Sequence, residues 1–313
     1  MGSIQEMEKV VRDGLEKACP WQRKTQREKL SIAICGFLES RTANTMETAS
    51  ILPLKTRRTD MKYQWLSRLL GNERVIPVEI MKPFGKQMME ELSGAKIEIV
   101  IDETQINEKY AVLMVSLRWG KRGVPLIWKV KRGTNNIGYA EQKEVLEKVK
   151  EIIPKGKKVL LQGDRFYGTI SLIRLCTEWG WDYRLRLKKN FIVKENKYKT
   201  KLNKKGGNVF LTDVLLSRKG VKTSIGIVQE RGHEEPWIIA MTGKATKEKT
   251  MEYKNRWSIE AMFSDYKSRG MGLEDTQLIY PDRIERLILI LGLGIYWATK
   301  VGKEDAEKKS TSV

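Results

Sequence analysis

The sequence predicts a mixed α/β fold, with a helical N-terminal region followed by a core of alternating strands and helices. Three observations support this prediction. Residues 1–93 show helical periodicity without a strand pattern, residues 97–187 follow the order βββαβαβ, and residues 246–301 return to helix. Strands that alternate with helices usually form a layered core, so we expect an α/β domain with added elements.

Four helices are expected in the N-terminal region, over residues 4–17, 26–40, 46–51 and 59–70. The last helix and its flanks are basic, and Arg57, Arg58 and Lys62 are candidates for DNA contact. An apolar stripe beside such a basic face is typical of small DNA-binding modules. A solvated helix face is an equally good interpretation of this segment taken alone.

The core is predicted to begin with a strand in which Ile97, Ile99 and Ile101 alternate with polar residues and which ends at Asp102. Two apolar runs joined by a Gly-rich turn follow, so the three strands should form an antiparallel meander. The remaining expected elements are two strands and two helices, over residues 140–153 (helix), 159–161 (strand), 169–179 (helix) and 183–187 (strand). The strand over residues 159–161 runs into Asp164. It is the fourth strand of the series and should lie beside the first.

The remaining segments set the domain boundaries. Residues 190–245 are rich in basic residues and strand patterns and are interpreted as an inserted β subdomain. We therefore predict a helical DNA-binding domain over residues 1–93, a catalytic domain over 94–189 and 246–301, and a polar tail over 302–313. Helix is expected without a break from about residue 247 to 270, and again from 283 to 301.

The composition points to a polyanionic partner. The chain of 313 residues carries 59 Lys and Arg against 39 Asp and Glu, a formal charge of +20 spread along its length. Nucleic acid is favoured, although ribosomes and anionic membranes also attract basic surfaces. The most apolar run, residues 287–299, has 13 residues, short of the roughly 20 that span a bilayer. No secretory signal pattern is present, so no membrane association and a cytoplasmic location, at the bacterial nucleoid, are expected.

Metal chemistry in this chain would have to use carboxylates. The three cysteines are widely spaced and the only histidine is His233, so a zinc ribbon, a disulfide framework or a histidine-based site is disfavoured. Carboxylate oxygens suit Mg²⁺, for which Mn²⁺ can substitute.

Four polar residues recur at helical spacing near the C-terminal end of the core: Tyr253, Arg256, Glu260 and Lys267. On one continuous helix, offsets of 0, 3, 7 and 14 fall within an arc of about 60°. A solvated face is the ordinary interpretation of such a stripe, and Asp102 and Asp164 could separately be a turn residue and a helix cap. Convergence of two strand-end aspartates with Glu260 would instead form a site for two divalent ions, the arrangement that cleaves and joins phosphodiesters.

The segment from Tyr253 to Lys267 resembles the Y-x2-R-x3-E-x6-K signature of DDE transposases of the insertion-sequence-four family, which includes transposon five and transposon ten. The resemblance extends to the surroundings of Asp102 and Asp164. It implies an RNase H-like fold with a β insertion before the last catalytic helix.

The resemblance also implies roles for individual residues. Asp102, Asp164 and Glu260 would be the catalytic, metal-binding triad holding two Mg²⁺ ions, and Tyr253, Arg256 and Lys267 would bind DNA phosphates. Further DNA contacts are expected, on the same basis, from Arg165, Arg186, Lys188, Trp237 and Trp257. Trp237 would stack a flipped base during hairpin formation, although a tryptophan that opens an apolar strand is more often a core residue.

The predicted function is therefore a DNA transposase of a bacterial insertion sequence. It would bind terminal inverted repeats as a homodimer, nick double-stranded DNA, excise the element through a hairpin and join it to target DNA, with no small-molecule substrate. The chain differs from the better-known members because only a short tail follows residue 301. The alternatives are a structure-specific nuclease or resolvase on the same fold, and an inactive, domesticated DNA-binding protein.

Overall fold

The protein is described by a computed structural model that covers residues 4–94, 96–134, 137–195, 198–201, 208–217, 220–229, 235–267 and 270–310. Its helices are α1 (Ile4–Ala18), α2 (Lys24–Ser40), α3 (Thr45–Ile51), α4 (Thr59–Leu70), α5 (Pro77–Glu90), α6 (Tyr139–Ile152), α7 (Ile170–Glu178), α8 (Lys247–Met251), α9 (Trp257–Tyr266) and α10 (Pro281–Ser310). Its strands are β1 (Lys96–Ile106), β2 (Tyr110–Trp119), β3 (Arg122–Arg132), β4 (Lys158–Gly163), β5 (Asp182–Arg186), β6 (Ile192–Glu195), β7 (Tyr198–Lys201), β8 (Val209–Leu216), β9 (Val221–Val228) and β10 (Trp237–Met241).

The N-terminal helices include all four that the sequence predicts, plus α5. The sequence interpretation missed α5 because Pro83 lies inside it, and proline usually interrupts a helix. Apolar periodicity outweighs that preference here, since Ile80, Met81 and Phe84 are all buried. These helices share one buried core with the sheet, and α10 packs against both α2 and β3. A separate DNA-binding role for residues 1–93 stays a prediction.

The described strands form one sheet in the order β3-β2-β1-β4-β5-β10-β9-β8-β6-β7. The βββαβαβ series is confirmed, as are the antiparallel meander of β1, β2 and β3 and the parallel pairing of β1 with β4. The strands of the segment 190–245 continue the same sheet beyond β5. Their assignment to a subdomain of their own stays a prediction.

Three expectations about the extent of helices and strands are wrong. The first strand does not end at Asp102 but continues to Ile106, because β2 keeps pairing with it along that stretch. The expected single helix from residue 247 to 270 is divided into α8, a 3₁₀ turn (Glu252–Arg256) and α9. Helix α10 extends beyond residue 301 to Ser310. Within the described part of the chain, no helix is both long enough and apolar enough to cross a membrane.

Candidate active site

The register of two parallel strands places Asp102 beside Asp164. In the β1–β4 ladder Ile101 is paired with Gly163, the last pair of that ladder. The next residues are Asp102, still within β1, and Asp164, the first residue after β4. Neighbouring strands lie about 4.8 Å apart. The two carboxylates therefore project from the same edge of the sheet, as the sequence predicts.

The loop after β4 is built around Asp164. One of its carboxylate oxygens accepts a hydrogen bond from the Phe166 backbone N–H at 2.8 Å, and its carbonyl oxygen accepts from Tyr167 and Gly168. Aspartate commonly stabilises turns in this way. The cap of α7 is Thr169, whose hydroxyl accepts from Leu172 N–H. Asp164 is therefore not the helix cap that the sequence left as an alternative.

The third carboxylate reaches this edge through α9. Glu260 lies in the first turn of α9, and the buried Ile259, Met262 and Phe263 pack that helix across the meander. Arg256, at the end of the 3₁₀ turn, donates to Asp102 at 3.0 Å and also to Glu260. One guanidinium therefore bridges two carboxylates of the predicted triad.

The electrostatics of Asp102 show that Asp164 and Glu260 both act on it. Burial, followed by repulsion from Asp164 and a smaller repulsion from Glu260, raises the pKa of Asp102 to about 6. Arg256 and the Glu103 backbone N–H work in the opposite direction. Neighbouring Glu103, which accepts from Ile137 N–H at 2.7 Å, also has a raised pKa, mainly through burial and further through Asp164.

The donor set has the chemistry of a magnesium site, because all its oxygens are hard carboxylate oxygens and a cationic group is already held between Asp102 and Glu260. The side chains do not close around a single point. Among the described residues, no three His, Cys, Asp or Glu side chains are placed to hold a metal ion. A cation that binds at this edge would compete with Arg256 for Asp102 and Glu260.

A second polar cluster, which we call the anchor cluster, fixes the 3₁₀ turn and consists of Glu98, Arg118, Arg184, Glu252 and Asn255. Glu98 on β1 accepts from Asn255 at 2.9 Å and pairs with Arg118 at 3.2 Å. Glu252 pairs with the buried Arg184 at 2.7 Å. The sequence interpretation did not identify these residues, although Glu98 is a polar position that alternates with the isoleucines of β1.

A model of the transposase DDE domain matches residues 130–297 of the chain. The chain belongs to the DDE transposase family. The matched range includes Asp164, Glu260 and the whole segment from Tyr253 to Lys267, and it begins after Asp102. A search of curated proteins gave no significant match.

Two solved structures with weak likeness to the chain are complexes of Argonaute from Marinitoga piezophila. The complex with a 5′-OH guide RNA and target DNA is 14% identical, covers 64% of this chain and 30% of that chain, and has a TM-score of 0.24. The complex with the guide RNA alone is 14% identical, and the match covers 76% of this chain and 35% of that chain with a TM-score of 0.26. This transposase chain thus spans about a third of those chains, and TM-scores at this level support no argument about its fold or function.

The 3₁₀ turn interrupts the helix on which the sequence places Tyr253, Arg256, Glu260 and Lys267 of this DDE domain. Tyr253 and Arg256 belong to the 3₁₀ turn, Glu260 to α9, and Lys267 lies just beyond the end of α9. The four residues therefore do not lie on one straight helix, and the 60° arc expected from regular helical spacing is wrong. Arg256 and Glu260 still meet, whereas Lys267 pairs with Glu274 at 3.0 Å.

Trp237 and Tyr253 are packed together beneath the surface of the DDE domain. They are 1% and 2% exposed, and their rings meet edge to face with centroids 5.2 Å apart. Trp257, at the start of α9, is 41% exposed and contacts the Trp237 ring edge on at 5.8 Å. Of the three aromatic residues that the sequence assigns to DNA contact, only Trp257 is presented to solvent.

The basic candidates differ in their local partners. Arg165 shares the Glu235 carboxylate with Lys189, whereas Arg186 and Lys188 have no ion-pair partner among the described residues. Arg57 and Arg58 are exposed before α4, and Arg58 pairs with Asp60 at 2.6 Å. Lys62 donates to the carbonyl oxygens of Ser50 and Leu52, near the end of α3. His233 lies outside the described residues.

Proposed function

We propose that this chain is a DNA transposase of the insertion-sequence-four type that cuts and joins DNA, with Asp102, Asp164 and Glu260 as its catalytic, metal-binding residues. The observation that carries the proposal is the convergence of these residues at one sheet edge. The β1–β4 register supports the placement of the two aspartates, and the Arg256 bridge supports the placement of Glu260. Membership of the DDE family supports the reaction class.

The triad would hold two Mg²⁺ ions, with Mn²⁺ as a substitute. When bound, such ions stabilise charge on the attacking and leaving oxygens of a phosphodiester. The residues of this chain supply the remaining requirements. Arg256 leaves the carboxylates and binds a DNA phosphate with its planar guanidinium, while the anchor cluster keeps its backbone in place.

The substrate is double-stranded DNA that carries the terminal inverted repeats of the element. The net charge of +20 supports binding of DNA phosphates, and Arg57, Arg58 and Lys62 are proposed to contribute in the N-terminal region. The reaction order we propose is nicking, hairpin formation, hairpin opening and strand transfer by a homodimer at the bacterial nucleoid.

The triad is tested with isosteric substitutions in the full chain. We expect Asp102→Asn, Asp164→Asn and Glu260→Gln each to abolish Mg²⁺-dependent nicking of a plasmid that carries the sequences flanking the gene, while DNA affinity stays close to that of the parent. Asp265→Asn is the matched control, because Asp265 lies on the same helix and pairs with the exposed Arg122. A triad variant that nicks at a rate comparable to the parent would remove its residue from the assignment.

The products separate this proposal from its alternatives. Nicking without hairpins or joined products would favour a structure-specific nuclease. Tight, sequence-dependent binding without metal-dependent cleavage by the parent protein would favour an inactive DNA-binding protein. Insertion of labelled ends into a second plasmid would support transposition.

The hairpin step gives a proposed role to Trp237. Because Trp237 is buried against Tyr253 and Trp257, stacking on a flipped base requires Trp257 to move aside. Base stacking contributes about 1–3 kcal/mol, so Trp237→Phe should slow hairpinning more than nicking. Equal slowing of both steps, with a lowered Tm, would assign Trp237 to the core alone.

A further inference from the structure

Tyr167 is a buried tyrosine in the loop that follows β4, three residues after Asp164 of the proposed triad. Its side chain is 1% exposed, and its hydroxyl oxygen has no hydrogen-bond partner among the described residues. The surrounding backbone fixes the ring, because Tyr167 N–H donates to the Asp164 carbonyl oxygen at 3.1 Å. A Cβ atom at Gly163 would lie 2.7 Å from the Tyr167 Cβ, so only glycine at that position permits this packing.

A buried tyrosine hydroxyl usually has a hydrogen-bond partner, since an unpaired one loses its hydration without compensation. Phenylalanine would fill the same space without that cost. A hydrogen-bond acceptor for the Tyr167 hydroxyl would remove this cost, and the nearby acceptors include carboxylates. Tyr167 packs against Gly163, which is paired with Ile101, the residue before Asp102. Of the carboxylates, Asp102 has the largest effect on the pKa of Tyr167, followed by Glu103 and Asp164.

A tyrosine hydroxyl is a neutral O–H donor near pH 7, since its ordinary pKa is about 10. Both oxygens of Asp102 already accept a hydrogen bond, one from Glu103 N–H at 2.9 Å and one from Arg256 at 3.0 Å. When Arg256 releases Asp102, that carboxylate can reorient and loses one of its two donors. A neighbouring O–H group can then take the place of the lost donor.

We propose that Tyr167 is a positioning residue of the metal centre, whose hydroxyl donates a hydrogen bond to Asp102 when the carboxylates bind a divalent cation. This inference rests on the proposed function, because it presupposes a metal centre at the triad. Donors behind metal-binding side chains fix their orientation, and removal of such a donor typically weakens metal binding by about 10- to 100-fold.

The test uses Mn²⁺ as the probe and the full chain without DNA. We expect Tyr167→Phe to raise the Kd for Mn²⁺, measured by electron paramagnetic resonance titration, by about tenfold. The Tm in EDTA should equal or exceed that of the parent, because the variant buries no unpaired hydroxyl. In nicking assays the half-saturating Mg²⁺ concentration should rise, while the rate at saturating Mg²⁺ stays near that of the parent.

Tyr183→Phe is the matched control. Tyr183 is also buried, but its hydroxyl is hydrogen-bonded to Thr223 at 2.8 Å on the far side of β5. This substitution should lower the Tm and leave the Kd for Mn²⁺ unchanged.

The outcomes distinguish failure of the inference from failure of the proposed function. An unchanged Kd in Tyr167→Phe, with Mn²⁺ bound by the parent and not by Asp164→Asn, would overturn the positioning role alone. Weaker binding accompanied by a lower Tm in EDTA would make the hydroxyl a packing group and also overturn it. No Mn²⁺ binding by the parent, or full binding by Asp164→Asn, would overturn the metal centre and the inference with it.

Discussion

Two polar clusters, both based on β1, differ in how their charges are compensated. In the anchor cluster each carboxylate has its own cation, since Glu98 pairs with Arg118 and Glu252 pairs with both Arg184 and Lys96. In the proposed triad, Asp164 and Glu260 both raise the pKa of Asp102, and Arg256 is a cation that contacts Asp102 and Glu260. Glu98 and Asp102 are four residues apart on β1, so they lie on the same face of the sheet.

This difference separates positioning from chemistry. Paired charges with good geometry hold a backbone segment in one conformation, and the anchor cluster does this for the 3₁₀ turn. Carboxylates that repel one another cost stability and favour any cation that enters. The two clusters should therefore respond to neutral substitutions in opposite ways: loss of a charge should destabilise the anchor cluster and stabilise the triad.

The largest effect is expected when the anchor cluster loses Glu252. Glu252→Gln leaves the guanidinium of Arg184, a residue only 4% exposed, without its carboxylate partner. Breaking such a pair leaves a buried charge uncompensated, so we expect the free energy of unfolding to fall by about 3 kcal/mol. Urea denaturation measures this change.

The matched control for that measurement is Glu274→Gln, which removes the partly exposed pair with Lys267. Exposed pairs contribute about 0–1 kcal/mol. If both variants lost the same small amount, the anchor cluster would not stabilise the fold more than a surface pair does.

Neutralising Asp102 is expected to increase the free energy of unfolding, the opposite of the change expected at Glu252. The reason is that the pKa of Asp102 in the folded protein, about 6, exceeds its ordinary 3.8. Between about pH 4 and pH 6 the folded state binds more protons than the unfolded state, so stability declines as the pH rises through this window. Asp102→Asn cannot titrate. At pH 7 in EDTA we expect this variant to be more stable than the parent by about 1–3 kcal/mol, with a flatter profile between pH 4 and 6.

Asp60→Asn provides the contrast for the pH experiment. Asp60 is exposed, and its hydrogen bond with Arg58 lowers its pKa below 3.8, so neutralising it should not stabilise the protein. Denaturation midpoints of both variants across the pH range give the comparison. A loss of stability in Asp102→Asn at pH 7 would show that the pair with Arg256 outweighs burial and repulsion.

The two clusters also differ in how far the sequence predicts them: it predicts the meeting of Asp102 and Asp164 but not the 3₁₀ turn that the anchor cluster holds. The alternation of Ile97, Ile99 and Ile101, with the apolar run before Asp164, is sufficient to predict two adjacent parallel strands and the meeting of their aspartates. Both are local patterns, and the topology of the βββαβ series fixes the rest. The four early helices follow from periodicity in the same way.

The break in the predicted helix after residue 247 could not be foreseen from periodicity. It depends on partners far away in the sequence, because Asn255 is held by Glu98 and Glu252 by Arg184. Nothing in the local sequence from 252 to 256 identifies those partners. The burial of Trp237 and Tyr253 has the same origin, since it results from packing between β10 and the 3₁₀ turn.

A smaller effect, on the reaction rate, is expected from Glu98→Gln. The substitution removes the charge that pairs with Arg118 and weakens the hydrogen bond from Asn255, so the 3₁₀ turn that carries Arg256 becomes less well placed. We expect the nicking rate at saturating DNA and Mg²⁺ to fall about tenfold, which corresponds to about 1.4 kcal/mol of barrier.

Two measurements accompany the rate. DNA affinity should change little in Glu98→Gln, and the charge-preserving Glu98→Asp should recover part of the rate. A normal nicking rate in Glu98→Gln, together with a lowered Tm, would restrict the anchor cluster to a structural role.

The smallest effect concerns the basic residues beside β5, where paired and unpaired charges again lie close together. Arg186 and Lys188 have no ion-pair partner among the described residues, whereas Lys189 pairs with Glu235 at 3.0 Å. Cations without a protein partner can neutralise phosphates directly, and each such contact contributes about 0.9 to the slope of log affinity against log salt. Replacing Arg186 and Lys188 together by Gln should therefore reduce the magnitude of that slope by about 1.8.

Lys189→Gln should change the slope less, because Lys189 must first release Glu235. Fluorescence anisotropy with a labelled duplex at several NaCl concentrations measures both slopes, and an unchanged slope in the double variant would place the DNA away from β5.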